Sequence, residues 1–351
     1  MSKDVYVRLR EFMDNTPGGF PTTESGVEMK ILKKLFTPEQ AEITLNLTLM
    51  PEPVSQIAHR AGMAEAEAAD RLERMAKEGL IMRLRDGDQT YYSALSFVVG
   101  IWEFHLNTLD REFAQLSVEY MPHLAELWKT LKTKPLRVVP IHASLHDQKT
   151  VSTYAQIREL AKGKNLISVA PCICEKQQGL LGNPCDRPKE RCIQFDMAAQ
   201  YYIENGMSRE ISEDELMDIL KMGEEEALVL SPTNAKEIIN ICMCCGCCCE
   251  NLKILKRYDR PADHCVSPYL AKIDSESCVM CGDCVDRCQM DAIQEGDETH
   301  EVDPARCIGC GLCVPTCPEK AISLVEKPDP TEIPDNLIDM NIRLSQERGI
   351  L

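Results

Sequence analysis

The residues of this chain whose types and spacing could do chemistry are its cysteines: 19 in 351 residues, all between Cys172 and Cys317. Eight of them form two runs, "CVMCGDCVDRC" (Cys278, Cys281, Cys284, Cys288) and "CIGCGLCVPTCP" (Cys307, Cys310, Cys313, Cys317). Each second-run cysteine stands 29 residues after its counterpart, and "MDAIQ" is echoed by "EKAIS", so the segment is an internal duplication. A loop with three closely spaced thiolates can wrap three corners of an iron–sulfur cube while its amides point at the sulfides. Structural zinc favours two separated pairs of cysteines, so the spacing points to iron–sulfur chemistry, which moves single electrons.

Residues 266–326 resemble the two-cluster bacterial ferredoxins, in which the fourth cysteine of each run serves the other cluster. The resemblance implies one [4Fe–4S] cluster on Cys278, Cys281, Cys284 and Cys317, and a second on Cys307, Cys310, Cys313 and Cys288. It also implies a small α+β fold with pseudo-twofold symmetry. Pro318 follows the second run, but Gln289 stands where the family often has proline after the first. That departure leaves ligation intact and predicts a differently tuned or more hydrated cluster.

Ten further cysteines crowd two places, "APCICEKQQGLLGNPCDRPKERC" and "ICMCCGCCCE", and Cys265 stands alone beside His264. Neighbouring residues suit disulfides poorly, and packing alone needs no such crowding, so metal is the remaining reading. "NLISVAP" and "KEIINI" read as buried strands that empty into these loops. If they are parallel neighbours, their C-terminal ends meet at the crevice where α/β sheets place ligands. Helices are expected over 190–205 and 213–225, the latter opened by Ser212 and Glu215 as a capping box. A third centre is expected from Cys172, Cys174, Cys185, Cys192, Cys242, Cys244 and Cys245, with Gly246 for a tight turn. More thiols are present than one tetrahedral ion can use, which favours iron–sulfur, while structural zinc stays open. A cluster with more than four cysteine ligands and a reversible dithiol pair stay open too. Cys265 reads as incidental.

The elements that must position these residues fall into a multidomain α+β plan. Residues 1–96 form one domain, 97–121 a single amphipathic connecting helix, 122–265 a Cys-rich α/β domain, 266–326 the dicluster domain, and 327–351 a linker and C-terminal helix. Residues 28–95 run helix, helix, helix ending at Gly62, helix, then a hairpin turning at Asp86-Gly87-Asp88. That order resembles the winged-helix domain of bacterial regulators. The would-be recognition helix opens with Ala64, Glu65, Ala66, Glu67 and Ala68 rather than base-reading side chains. Residues 26–95 carry nine basic and eleven acidic side chains, a net of −2 (9 − 11). Arg71, Arg74 and Lys77 read as a solvated face, and Arg83 and Arg85 are left as phosphate contacts. Protein docking or a homodimer through this domain is therefore expected over DNA binding. "LRVVP" reads as a strand, and His142 and His146 as structural.

The chain carries 39 basic and 56 acidic side chains, net −17, which argues against electrostatic binding of nucleic acid or of anionic membranes. It shows no membrane span and no signal-peptide core, so a cytoplasmic protein with reduced thiols is expected. The opening "DNTPGGFPTTESGVEMKILKKLFTPEQAE", the CxC segment, the "CCGCCC" loop and the repeat together resemble 4Fe–4S binding proteins of anaerobic bacteria and archaea. The expected function is electron transfer through two [4Fe–4S] clusters and a third iron–sulfur or zinc centre, to or from a partner oxidoreductase. The alternatives are a redox-sensing winged-helix regulator and a reductase with a catalytic cluster in the middle domain. No nucleotide loop or nucleophile–base set is visible.

Overall fold

The computed structural model describes residues 3–141, 161, 163–329 and 331–351. His142 and His146 lie outside them. Helices α1 (Val5–Asp14), α2 (Val27–Leu35), α3 (Pro38–Thr44), α4 (Val54–Ala61) and α5 (Glu65–Lys77) come first. Thr37 and Gln40 close a reciprocal capping box on α3, with Pro38 in its first turn. That helix stops at Thr44 rather than running to 49, because the Asn46 side chain turns back to donate to the Glu42 carbonyl. Gly62, left-handed at φ 65°, ends α4 as expected. Strands β2 (Met82–Asp86) and β3 (Gln89–Ser93) form the hairpin around Gly87 and Asp88, and the short β1 (Glu52–Pro53) pairs with β3.

The single helix expected over 97–121 is broken. Val98 and Val99 are extended, α6 is the one turn Trp102–Phe104, and α7 starts only at Arg111, continuing through Pro122 to Lys129. The apolar periodicity was present, but polar groups at the break take its backbone bonds. Glu103 accepts from the Gly100 amide (2.7 Å), and Asp110 caps α7 by accepting from the Phe113 amide (2.7 Å).

The middle sheet has the order β6-β4-β5-β8-β7: β4 (Ile167–Pro171), β5 (Glu190–Phe195), β6 (Arg209–Glu210), β7 (Val229–Pro232) and β8 (Asn240–Cys244). Every pairing is antiparallel, so the expected parallel neighbours are corrected. β5 lies between β4 and β8 and opposes both, so those two still point the same way and their C-terminal ends share one sheet edge. β5 itself falls where a helix over 190–205 was expected. Its residues alternate across the sheet until Asp196, at φ 49°, turns the chain into helix α9 (Asp196–Glu204). Helices α8 (Ile173–Leu180), α10 (Glu213–Glu225) and α11 (Glu250–Lys256) complete this region. "LRVVP" makes isolated bridges from Leu136 and Val139 to the β7 side rather than a strand.

In the last part, β9 (Tyr269–Ile273) pairs with β12 (Ile322–Glu326), and β10 (Ile293–Glu295) with β11 (His300–Val302). Helix α12 is Asp283–Arg287, and α13 (Leu337–Glu347) folds back on the body. The Glu347 carboxylate accepts from the Lys132 amide (2.7 Å) and the Thr133 hydroxyl (2.7 Å). One apolar core runs from the middle sheet into the β9/β12 layer, and a second joins residues 9–124 to α8 and α9. The middle sheet is thus buttressed on both sides. No helix among the described residues is long and apolar enough to cross a membrane.

Candidate metal centres

The duplication is written into the backbone. Met280 and Gly309, Gly282 and Gly311, and Asp291 and Lys320 are pairs 29 residues apart, and all six sit at positive φ. The tight left-handed turns that expose amides toward the thiols therefore recur in both halves. Cys278, Cys281, Cys284 and Cys317 line one cavity, and Cys288, Cys307, Cys310 and Cys313 line another. The two fourth cysteines are held alike: the Ala292 amide donates to Cys288 Sγ (3.3 Å) and the Ala321 amide to Cys317 Sγ (3.2 Å). The Thr299 hydroxyl and nearby amides hold the Cys278 thiol below its ordinary value. Burial pushes Cys284 up to about 11, a cost that ligation to a cation would offset. His300, buried with neither ring nitrogen hydrogen-bonded, lines the first cavity.

In the middle sheet the ten remaining cysteines divide into two sets. Cys185, Cys245, Cys247 and Cys248 bring their sulfurs within 4.8 Å of one another. Cys185 Sγ lies 3.8 Å from Cys245 and 3.6 Å from Cys247, and Cys245 lies 3.0 Å from Cys248 and 3.2 Å from Cys247. Four thiolates at about 2.3 Å from one tetrahedral ion sit about 3.8 Å apart, whereas cysteine sulfurs around a cubane sit on the order of 6 Å apart. The tetrad thus matches the span of a single ion. The Cys248 hydrogen bond pulls the Cys245 thiol down to about 4, against the cost of burial and with help from the Arg191 cation.

The second set is Cys172, Cys174, Cys192, Cys242, Cys244 and Cys249, which line a larger cavity of about 140 Å³ that Cys245 and Cys248 of the tetrad and Cys265 also border. Cys172 and Cys174 flank the start of α8, Cys192 and Cys242 are register partners on β5 and β8, Cys244 ends β8, and Cys249 precedes α11. A buried polar chain fixes these elements. Trp102 Nε1 donates to Gln177 Oε1 (3.1 Å), and the Gln177 and Gln178 amides donate to Glu250 Oε1 (3.1 and 2.8 Å). The broken segment at 97–104 is thereby a strut for α8 and α11.

The seven cysteines expected to act together are therefore divided: Cys185 and Cys245 belong to the tetrad, and the other five line the larger cavity, which Cys245 borders as well. Cys247, Cys248 and Cys249 were not singled out, because nothing in a run of adjacent thiols tells which sulfur faces which way. Arg191 was missed as well. Its side chain is 1% exposed, and Nη2 donates to Cys248 Sγ (3.1 Å) and Cys185 Sγ (3.8 Å). Gly246 opens the turn 246–248, as expected, and close approach adds a second reason for glycine there. A Cβ there would lie 2.6 Å from the Gln289 carbonyl, and its amide donates to Gln289 Oε1 at 2.7 Å. Gln289, which replaces the usual proline, thus joins the "CCGCCC" loop to the loop that carries Cys288.

Residues 271–324 match the family model of the 4Fe-4S dicluster domain. This part of the chain is a ferredoxin-like dicluster domain. No curated protein and no solved structure matches the chain. In the N-terminal region, the two hairpin arginines are engaged internally. Arg83 pairs with Glu73 (2.8 Å) and Glu204 (2.6 Å), and Arg85 with Glu204 (3.0 Å) and Glu73 (3.2 Å). Arg71 pairs with Glu67 and Glu39, Arg74 with Asp70, and Lys77 with Glu73.

Proposed function

We propose that this protein carries single electrons through the dicluster domain to or from a further metal centre in the middle sheet, as part of a cytoplasmic redox system of anaerobic metabolism. Cys278, Cys281, Cys284 and Cys317 hold one [4Fe–4S] cluster and Cys288, Cys307, Cys310 and Cys313 the other. Cys185, Cys245, Cys247 and Cys248 hold the further centre as a tetrathiolate iron site, which can take and give one electron; zinc there would leave it structural. Bound clusters supply one-electron storage with little rearrangement. The chain's own residues set the tuning: amides from Ala292 and Ala321 reach the fourth cysteines, and Arg191 supplies positive charge beside the tetrad.

The observation that carries the reading is the Gly246–Gln289 bond. It fixes the tetrad loop directly against the loop of Cys288, so the two donor sets adjoin without intervening structure. We read the N-terminal helices and hairpin as a winged-helix unit used for docking on a partner oxidoreductase rather than on DNA. The support is that Arg83, Arg85 and the α5 cations already have carboxylate partners, which leaves little free charge for phosphates.

The test is iron, sulfide and zinc per chain on anaerobically purified protein, with EPR of the reduced form. About 8 iron atoms (2 × 4) in two interacting reducible signals are expected from the dicluster domain alone. Absence of a low-potential reducible signal would overturn the reading. A tight, salt-sensitive gel shift with duplex DNA would replace docking by regulation.

A further inference from the structure

Once the tetrad is set aside, six middle-region cysteines remain, and the elements that carry them converge on one place. We infer that Cys172, Cys174, Cys192, Cys242, Cys244 and Cys249 hold a separate polynuclear iron–sulfur cluster with more than four cysteine ligands. This rests on the reading above that the chain is an iron–sulfur protein, and adds a site and a cluster type to it.

The thiols fall into one linked series and one cross-strand pair: Cys172, Cys174, Cys249 and Cys244 each interact with the next, and Cys192 faces Cys242 in the β5–β8 register. A single tetrahedral ion uses four thiolates, so six are too many. Two zinc ions sharing six thiolates would draw bridging sulfurs together and fill the space between them. Here the six sulfurs instead border a cavity of about 140 Å³, which such a compact core would leave open. A cluster that brings its own inorganic sulfide can span that space while each thiolate keeps a metal partner.

Charge gives an independent argument. Arg191 borders the same cavity, is 1% exposed, and leaves both Nε and Nη1 without a hydrogen-bond partner. A buried guanidinium with unmet donors is costly unless an anion faces it. Ligated thiolates, their protons released on binding, together with inorganic sulfide supply that anion. Arg191 therefore serves both centres: Nη2 donates to Cys248 and Cys185 of the tetrad, the residue lines the larger cavity, and Nε and Nη1 remain without protein partners.

The experiment uses full-length protein purified anaerobically from iron-57 cultures, read by metal and sulfide analysis, Mössbauer spectroscopy and EPR. The wild type is expected to hold about 12 or more iron atoms, at least about four above the dicluster complement. Cys174→Ser is expected to lose that excess while keeping the single ion of the tetrad and both dicluster signals. Cys247→Ser, at an exposed position, is expected to do the reverse. About 8 or 9 iron atoms in the wild type, or about two zinc atoms in place of the excess iron, would overturn the assignment. So would an unchanged iron content in Cys174→Ser. Should Cys174→Ser not fold, native alkylation of the wild type decides: the six thiols are expected to stay protected until iron is chelated, and prompt labelling refutes the site. Loss of the dicluster signals would instead count against the electron-transfer reading, so the two failures are distinct.

Discussion

Residues 271–324 gather eight cysteines from two local runs, each three-thiol loop completed by one cysteine from the other half. The middle region gathers ten from α8, β5, β8 and the loops beside them, four of them in one tight tetrad and six along the larger cavity. In the first region the loop geometry itself brings the thiols together, so their arrangement should tolerate change in its surroundings. In the second, strand register carries it: Cys192 faces Cys242 only because β5 inserts between β4 and β8. A site built by loops and a site built by a sheet should fail differently when the scaffold is disturbed.

The largest expected effect follows from that difference. Ile193 is fully buried at the centre of β5, next to Cys192 and paired with Ile241. Ile193→Ala should cost about 2–5 kcal/mol by transfer and cavity terms. It should also release metal from the middle region while the dicluster EPR signals persist. Thermal unfolding and metal analysis on the same sample check this. Parallel loss of both sets of signals would show that the middle sheet and the dicluster domain form one cooperative unit, as their shared core would allow.

The same contrast explains what could be read from sequence. Eight candidate ligands in the last region follow from spacing and a 29-residue repeat, because three of each four are local. The crossed fourth ligand follows from the ferredoxin resemblance. In the middle region the density of thiols signalled metal, but the partition depended on β5, whose "ERCIQF" looked like the start of a helix carrying Phe195, Tyr201 and Tyr202. Tertiary pairing overrode that local preference. The break at 97–110 was hidden for a similar reason. Its apolar spacing suits a helix, yet Glu103 and Asp110 spend their carboxylates on the backbone amides that end one segment and begin the next. Arg83 and Arg85 could not be placed either, since Glu204 lies some 120 positions away on α9.

The junction between the regions offers two graded tests. In Gly246→Ala the added methyl would sit 2.6 Å from the Gln289 backbone carbonyl, which cannot rotate away, so one of the two loops must shift. A cost of about 1–3 kcal/mol is expected, together with slower electron exchange between the dicluster signals and the middle centre after rapid reduction. Unaltered exchange would mean that electrons do not cross here. Gln289→Ala removes only the acceptor of the Gly246 amide. It should cost about 1 kcal/mol and slow exchange less than Gly246→Ala does. If Gln289→Ala had the larger effect, the side-chain bond rather than loop proximity would be the coupling element.

The smallest effect is confined to the cavity side of the comparison and depends on pH. Burial pushes the Glu103 carboxyl up to about 7, against the hydrogen bond donated by the Gly100 amide. The folded chain therefore binds more protons at Glu103 than the unfolded chain does between its ordinary 4.5 and about 7. With more protons on the native state, stability falls as pH rises through that window. Glu103→Gln keeps a hydrogen-bond acceptor for the amide and removes the ionisation. The variant should be more stable than the wild type at pH 8 by about 1 kcal/mol, allowing for partial exposure of the group, and this advantage should shrink as the pH is lowered to 6. Paired melting curves across that range measure it. Because Glu103 borders the six-cysteine cavity, the middle-region signals should follow the same pH dependence while those of residues 271–324 stay constant. A pH-independent difference between the two proteins would mean that the Glu103 carboxylate is already ionised at no cost in the fold.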